Sequence, residues 1–207
     1  MALVVFLKGV NVGGHRRVRP SEVAKRLKRY DVVNIGAAGT FVVRKPISQP
    51  KLRAELRRQL PFETEIMICT GDTILALAAT DPFAGEPSDR SVMQFVSVRA
   101  TPRSASGQTP PTISAAQPVP SLPLVIPATG EWELRLLDHN RQFLIGICRR
   151  QMKAIGHFGK LEKIFGSATT RSWSTILKIA RVLEESAGRR GPKKAHRNPT
   201  HRPRRRS

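Results

Sequence analysis

Lysine, asparagine and three glycines crowd into Lys8-Gly9-Val10-Asn11-Val12-Gly13-Gly14, and a second polar island, Ala168-Thr169-Thr170-Arg171-Ser172-Trp173, lies near the other end of a 207-residue chain. Both have the equipment for holding an anion. A glycine-rich turn can aim backbone amides at a phosphate or carboxylate, and Lys8, His15 and Arg16 add charge beside it. Arg171 between hydroxyls supplies a forked donor, and Trp173 supplies a face for stacking. The expected ligand group is therefore Lys8, Asn11, Gly13, Gly14, Arg171 and Trp173. The glycine spacing fits neither Gly-x-Gly-x-x-Gly nor a P-loop ending in Gly-Lys-Ser/Thr. Each island also has a scaffold reading. Gly13 and Gly14 suit a turn at positive φ with Asn11 bonding the loop backbone, and Thr170 or Ser172 suits an N-cap with Trp173 packed inward.

Catalytic equipment is thin. The chain has no Gly-x-Ser-x-Gly elbow, no His-Glu-x-x-His and no carboxylate pair at an evident helical offset. Among five histidines only His15 and His157 fall near candidate loops. Cys69 and Cys148 stand apart in apolar segments, which argues for buried small hydrophobes and against nucleophiles, zinc ligands or a disulfide framework. No cofactor or metal is expected, and two isolated thiols fit a reducing cytoplasm. Nowhere do 18 uncharged apolar residues follow one another, so neither a membrane span nor an export signal is read.

Charge is the other functional signal. The formal net charge is +21, of which the segment after Glu185 carries +9 with no acid. Charge of this sign attracts phosphate polyanions through counterion release. The expected nucleic-acid contacts are Arg16, Arg17, Arg204, Arg205 and Arg206. The basic faces of the first two helices extend them (Arg19, Lys25, Arg26, Lys28 and Arg29; Lys51, Arg53, Arg57 and Arg58), and Lys178 extends the surface near Arg171. A solubilising surface would have the same composition.

The elements that must position these groups are legible first in the N-terminal third. Leu3 to Leu7 is an apolar run of strand length, and Arg19 to Tyr30 has helical spacing. Val32 to Ile35 and Phe41 to Arg44 read as a hairpin about Gly36 to Gly39, Pro50 to Leu60 as a helix, and Glu65 to Cys69 as a strand. The order βαββαβ is that of a ferredoxin-like lobe over residues 1–70. A second, smaller α+β lobe is expected over 71–186. It contains a helix from Asp72 to Thr80 with Asp72 as N-cap, a strand from Ser91 to Val98, and a hairpin of Glu133 to Leu137 with Gln142 to Ile147 about Asp138-His139-Asn140. Leu161 to Phe165 reads as a short helix closed by Gly166, and Ser172 to Ser186 as the last helix. Thr101 to Pro127 holds seven of sixteen prolines and one charge, and reads as an irregular loop unable to continue a sheet. Residues 187–207 are basic, lack an apolar face and read as a disordered tail.

Three ordered stretches carry a resemblance: Ala2 to Gly14, Ile35 to Val43 (Ile-Gly-Ala-Ala-Gly-Thr-Phe-Val-Val), and Ala168 to Ile176. Together they resemble the DUF1697 family of bacterial proteins of unknown function, from about Leu3 to Leu183. That family's pattern has Arg-Gly-Ile-Asn-Val-Gly-Gly, Ser-Gly-Asn and Thr-Thr-Arg-Asn-Trp; this chain has Lys8 for the arginine, Ala38-Gly39-Thr40 for Ser-Gly-Asn and Ser172 for the asparagine. The resemblance implies an α+β fold and no established activity. The function read from the residues is a non-catalytic module binding nucleic acid or another polyanion. The alternatives are an enzyme holding a small anionic substrate among Lys8, Asn11 and Arg171, and a structural or partner-binding domain.

Overall fold

The structure, a computed structural model, describes residues 1–14, 16–100 and 120–188. The chain is a mixed α+β protein with two antiparallel sheets and five α-helices among these residues. Its first part runs β1 (Leu3–Leu7), α1 (Pro20–Arg26), a 3-10 turn (Lys28–Tyr30), β2 (Val32–Asn34), β3 (Thr40–Val43), α2 (Gln49–Gln59) and β4 (Ile66–Thr70). These strands form one sheet in the order β2-β3-β1-β4. The second part runs α3 (Gly71–Ala78), β5 (Val92–Arg99), β6 (Leu124–Ile126), β7 (Leu134–His139), β8 (Phe143–Arg149), α4 (Met152–Phe165), β9 (Ala168–Ser172) and α5 (Trp173–Gly188), with a sheet ordered β6-β7-β8-β5-β9.

Apolar runs without alternation predict strands covered on both faces, and β1 is buried at all five positions. Leu3, Val5 and Leu7 share a core with Val23 of α1, Leu27 just after it, and Leu52 and Leu56 of α2. Val4 and Phe6 join another core with Val96 and Val98 of β5, Ile74 of α3, and Ile176, Ile179 and Leu183 of α5. Thus α3 and α5 lie between the two sheets. Burying each large aliphatic side chain is worth about 1.5–3 kcal/mol, so the inward face of α5 is a principal source of cohesion between them. On the far side of the second sheet Phe95, Leu134, Leu136 and Leu144 pack against Ala154, Leu161 and Phe165 of α4.

Several expectations need correction. Ala168 to Ser172 is not the start of the last helix but strand β9, which pairs with β5 from Phe95↔Ser172 to Arg99↔Ala168. The proline-rich segment does continue the sheet: Leu124 to Ile126 pairs with Leu134 to Leu136, because Pro123 and Pro127 flank those three residues without occupying them. Residues 101–119 of that segment lie outside the described residues, as does the basic tail from 189. The short helix expected at Leu161 is a continuous 14-residue helix from Met152. Gly166 ends it at φ +87°, in the left-handed region expected of a helix-closing glycine. Thr70, not Asp72, caps α3, its Oγ1 accepting from the Thr73 amide at 3.3 Å. The β7–β8 turn is held by Asn140, whose Oδ1 accepts from the amides of Gln142 and Phe143 at 2.8 Å each.

Gly146, in the middle of β8, is where the second sheet tolerates no side chain. A Cβ there would lie 2.3 Å from the Arg135 carbonyl oxygen and 2.8 Å from the Phe95 ring. Backbone cannot yield as a flexible side chain does. Gly146→Ala is expected to lower stability by about 1–3 kcal/mol, read as a fall in the urea midpoint, and an unchanged midpoint would show that β7 and β8 separate freely.

Candidate functional site

The two sequence islands meet at the β2–β3 turn. The β1–α1 loop begins at Lys8 and passes through positive φ at Gly9, Asn11, Gly13 and Gly14. Asn11 fixes it. Its Oδ1 accepts from the Val18 amide at 2.9 Å, and its Nδ2 donates to the Val18 carbonyl at 3.0 Å and to the Ala37 carbonyl at 2.7 Å. The side chain therefore clips the two ends of the loop together and ties them to the turn.

Arg171 reaches the same turn from β9. Its Nε donates to Thr40 Oγ1 at 2.7 Å; Nη1 donates to Thr169 Oγ1 and the Thr170 carbonyl; Nη2 donates to the carbonyls of Leu7 and Ala38 at 2.9 and 2.7 Å. All five guanidinium hydrogens are used on neutral oxygens, and the residue is 8% exposed. Phe6 lies beneath the guanidinium, its ring centre 5.8 Å from Cζ. Burial pulls the Arg171 pKa down to about 10, which leaves the group charged at neutral pH. Arg171 and Asn11 thus bond adjacent carbonyls, Ala38 and Ala37, on one turn, but no donor of Arg171 is left for a ligand.

Lys8 is also committed. Its Nζ donates to Glu162 Oε2 at 2.6 Å and Ser167 Oγ at 2.7 Å, with Glu65 Oε1 at 3.7 Å. It bridges the first sheet to the end of α4. Trp173 opens away from Arg171, stacking edge-on against Phe83 with ring centres 5.3 Å apart. Ser172 Oγ lies 2.9 Å from Ser174 Oγ and 3.0 Å from Thr175 Oγ1, at the position expected of the last helix's cap. Asn11 and Arg171 thus meet on one turn, whereas the Lys8 ammonium bonds Glu162 and Ser167 and shares no partner with either among the described residues.

What stays open to solvent is the outer side of the glycine loop. Arg16, Arg17 and Arg19 are exposed and enter no salt bridge among the described residues. Arg17 Nε donates to the Gly14 carbonyl at 3.1 Å, which lays the guanidinium along the loop. Asn11, Gly14, Arg17, Val18 and Arg19 line an open cleft without a carboxylate. A neighbouring cleft joins Arg16 to Arg57 of α2 but includes Glu63 and Glu65, so its field is mixed. The helical basic faces divide similarly. Glu55, with its side chain only 8% exposed, holds Arg29 at 2.6 Å and Arg58 at 3.7 Å, and Glu22 holds Lys25 at 2.9 Å. Arg53 is turned to the Ile66 carbonyl. Arg26, Lys28, Lys51 and Arg57 stay exposed, as does Lys178 on α5. His15 and Arg204 to Arg206 lie outside the described residues.

No group of three His, Cys, Asp or Glu able to hold a metal occurs among the described residues. His157 is tied to Glu133 at 2.7 Å, in the second half of the fold. Both cysteines are buried and free. Desolvation pushes the Cys69 thiol up to about 12 and the Cys148 thiol to about 11, the latter partly offset by Arg150. Arg90 and Arg150, absent from the expected site, are exposed beside Trp173; only their position in the fold brings them there.

A family model described as a protein of unknown function, DUF1697, matches residues 1–112. The match covers the glycine loop and the β2–β3 turn and stops short of the third stretch at Ala168. Among solved structures, a conserved bacterial protein from Streptococcus pneumoniae is similar in fold, with a TM-score of 0.56 and 14% identity over 88% of this chain and 98% of that one. No curated protein matches the chain.

Two outcomes follow from this geometry. Arg171→Ala removes five hydrogen bonds and leaves the acceptors that have no second donor unsatisfied at roughly 1–3 kcal/mol each, and Arg171→Lys, with three donors, recovers only part. Urea unfolding should rank wild type above Arg171→Lys above Arg171→Ala; equal midpoints would show that the bonds contribute nothing. Neither thiol should react with Ellman's reagent at about pH 8 in the native protein, and both should react in denaturant, because a buried thiol raised this far is scarcely ionised there.

Proposed function

The chain belongs to the DUF1697 family, and we propose that it is a polyanion-binding module that takes nucleic acid on the outer side of the β1–α1 loop. One observation carries the reading: Arg16, Arg17 and Arg19 lie together on one loop, exposed and in no salt bridge among the described residues, while Lys8, Lys25 and Arg29 are held by Glu162, Glu22 and Glu55. Three guanidinium groups on a loop held by Asn11 present a preset charge pattern to a phosphate backbone. Arg26, Lys28, Lys51 and Arg57 extend it along the helices, and the +9 tail supplies further counterion release.

The loop is mounted on a half that we read as ferredoxin-like, supported by the strand order β2-β3-β1-β4 with α1 and α2 on one face. Residues 71–186 form the second lobe in this reading. Two free buried thiols support a reducing, cytoplasmic setting, and no helix among the described residues is long and apolar enough to cross a membrane. Among the described residues the sheet phenylalanines Phe6, Phe41, Phe95 and Phe143 are all buried and none can stack on a base, so binding is expected to be insensitive to base sequence.

Titration with duplex DNA over a range of salt tests the reading. Each phosphate neutralised contributes about 0.9 to the slope of log K against log salt, so replacing Arg16, Arg17 and Arg19 together with alanine should reduce its magnitude by about 2–3. An absence of binding at low salt would overturn the proposal. A slope that falls only on removal of residues 189–207 would move binding from the loop to the tail.

A further inference from the structure

Beyond the loop, Trp173 lines a second cleft together with Asp89, Arg90, Gln94 and Arg150. Arg90 reaches it from the connection between α3 and β5, Arg150 from the junction of β8 and α4, Gln94 from β5, and Ser174 from the first turn of α5. Arg150 donates through Nε to the Val92 carbonyl at 3.3 Å, which fixes the plane of its guanidinium while both Nη groups remain without a bonded partner among the described residues. Arg90 is exposed and in no salt bridge. Two guanidinium groups in no ion pair among the described residues, one carboxylate (Asp89) and an indole thus line one cleft, gathered by the α3–β5 connection, the β8–α4 junction and the β9–α5 junction. The sequence separates these three places widely.

We propose that this cleft binds a nucleoside monophosphate, with Arg90 and Arg150 on the phosphate and Trp173 against the base. Guanidinium forks match phosphate oxygens, and an aromatic ring accepts any base through its π-face. Asp89 gives the ligand a direction. Its Oδ1 accepts from the amide and hydroxyl of Ser91, bonds that hold its pKa below the usual carboxylate range. A carboxylate fixed in the anionic form repels the phosphate from that end and accepts hydrogen bonds from a sugar hydroxyl. The cleft is small, about 260 Å3, and its two guanidinium groups match one phosphate. The site is separate from the glycine loop and stands whether or not the loop binds nucleic acid.

The chain has two tryptophans, so a full-length Trp132→Phe variant leaves Trp173 as the sole indole reporter. Adenosine monophosphate added to it should quench the emission saturably, with adenosine or inorganic phosphate alone at least about tenfold weaker. Arg90→Ala and Arg150→Ala, both at exposed positions, should each weaken the nucleotide by about tenfold, while Lys163→Ala, at an exposed position of α4, leaves it unchanged. Equilibrium dialysis of radiolabelled nucleotide against the unsubstituted protein provides a second readout independent of the reporter. No saturable binding up to about 10 mM in either measurement overturns the proposal. So does equal binding by inorganic phosphate, which would leave a plain anion patch, or binding unaffected by both arginine changes.

Discussion

A guanidinium enclosed by protein without a carboxylate has to be compensated by dipoles alone, and the geometry around Arg171 is organised by that requirement. Five acceptors must converge on one planar fork, and they come from four places: the end of β1, the β2–β3 turn, the first residue of β3, and β9 itself. A missing acceptor would leave a buried donor unpaired at a cost comparable to a sizeable share of a domain's net stability. The register of β9 on β5 is thereby linked to the conformation of a turn in the other sheet. Thr40 illustrates the constraint, being fully buried yet polar, with its hydroxyl turned to Nε of Arg171.

The same economy explains how a strongly basic chain can be structurally quiet over much of its surface. Lys8, Arg29, Arg44, Arg135 and Arg149 are each matched with a carboxylate, and Arg99 places Nε and Nη2 on the Phe165 carbonyl at the end of α4. Trp132 carries Arg149 over its ring at 4.8 Å, so even a cation facing solvent has a packed underside. Solvent-exposed pairs of this kind contribute little individually. Their effect is to decide which positive charges remain available. Those left over include Arg16, Arg17 and Arg19 at the glycine loop and Arg90 and Arg150 in the cleft that Trp173 lines, together with single exposed cations on the helices such as Lys51 and Lys178.

The first sheet was legible because local and tertiary preferences agree there. β-branched residues fill β2 and β3, Pro50 lies at the first turn of α2, and Pro61 stands just after its end. β9 was not legible, since Ala-Thr-Thr-Arg-Ser has none of a buried strand's apolar character; its polar side chains are satisfied across the fold, Thr170 by Ser97 and Arg171 by the first sheet. The long α4 was obscured by Gly156 and Gly159, each costing about 1 kcal/mol relative to alanine, a loss offset by burial of Ala154, Leu161 and Phe165. For the site, residue types identified Asn11 and Arg171 as unusual but could not tell a ligand-binding arginine from one whose hydrogens are all spent internally. Arg90 and Arg150 gave no signal, because nothing in an isolated exposed arginine announces its neighbours.

The bond from Arg171 to the Leu7 carbonyl spans 164 residues of chain, and the same carbonyl receives the Thr169 hydroxyl. During synthesis from the N-terminus, β1 and the loop that follows it emerge long before either partner exists. Strands β1, β3 and β4 can associate early through contacts nearer in sequence, whereas the terminal carbonyl of β1 and the turn beside it await nearly the whole polypeptide. The glycine loop can be closed by Asn11 on Val18 and Ala37 as soon as the first forty residues exist, but the Leu7 and Ala38 carbonyls at its edge receive their β9 donors only when the chain is nearly complete.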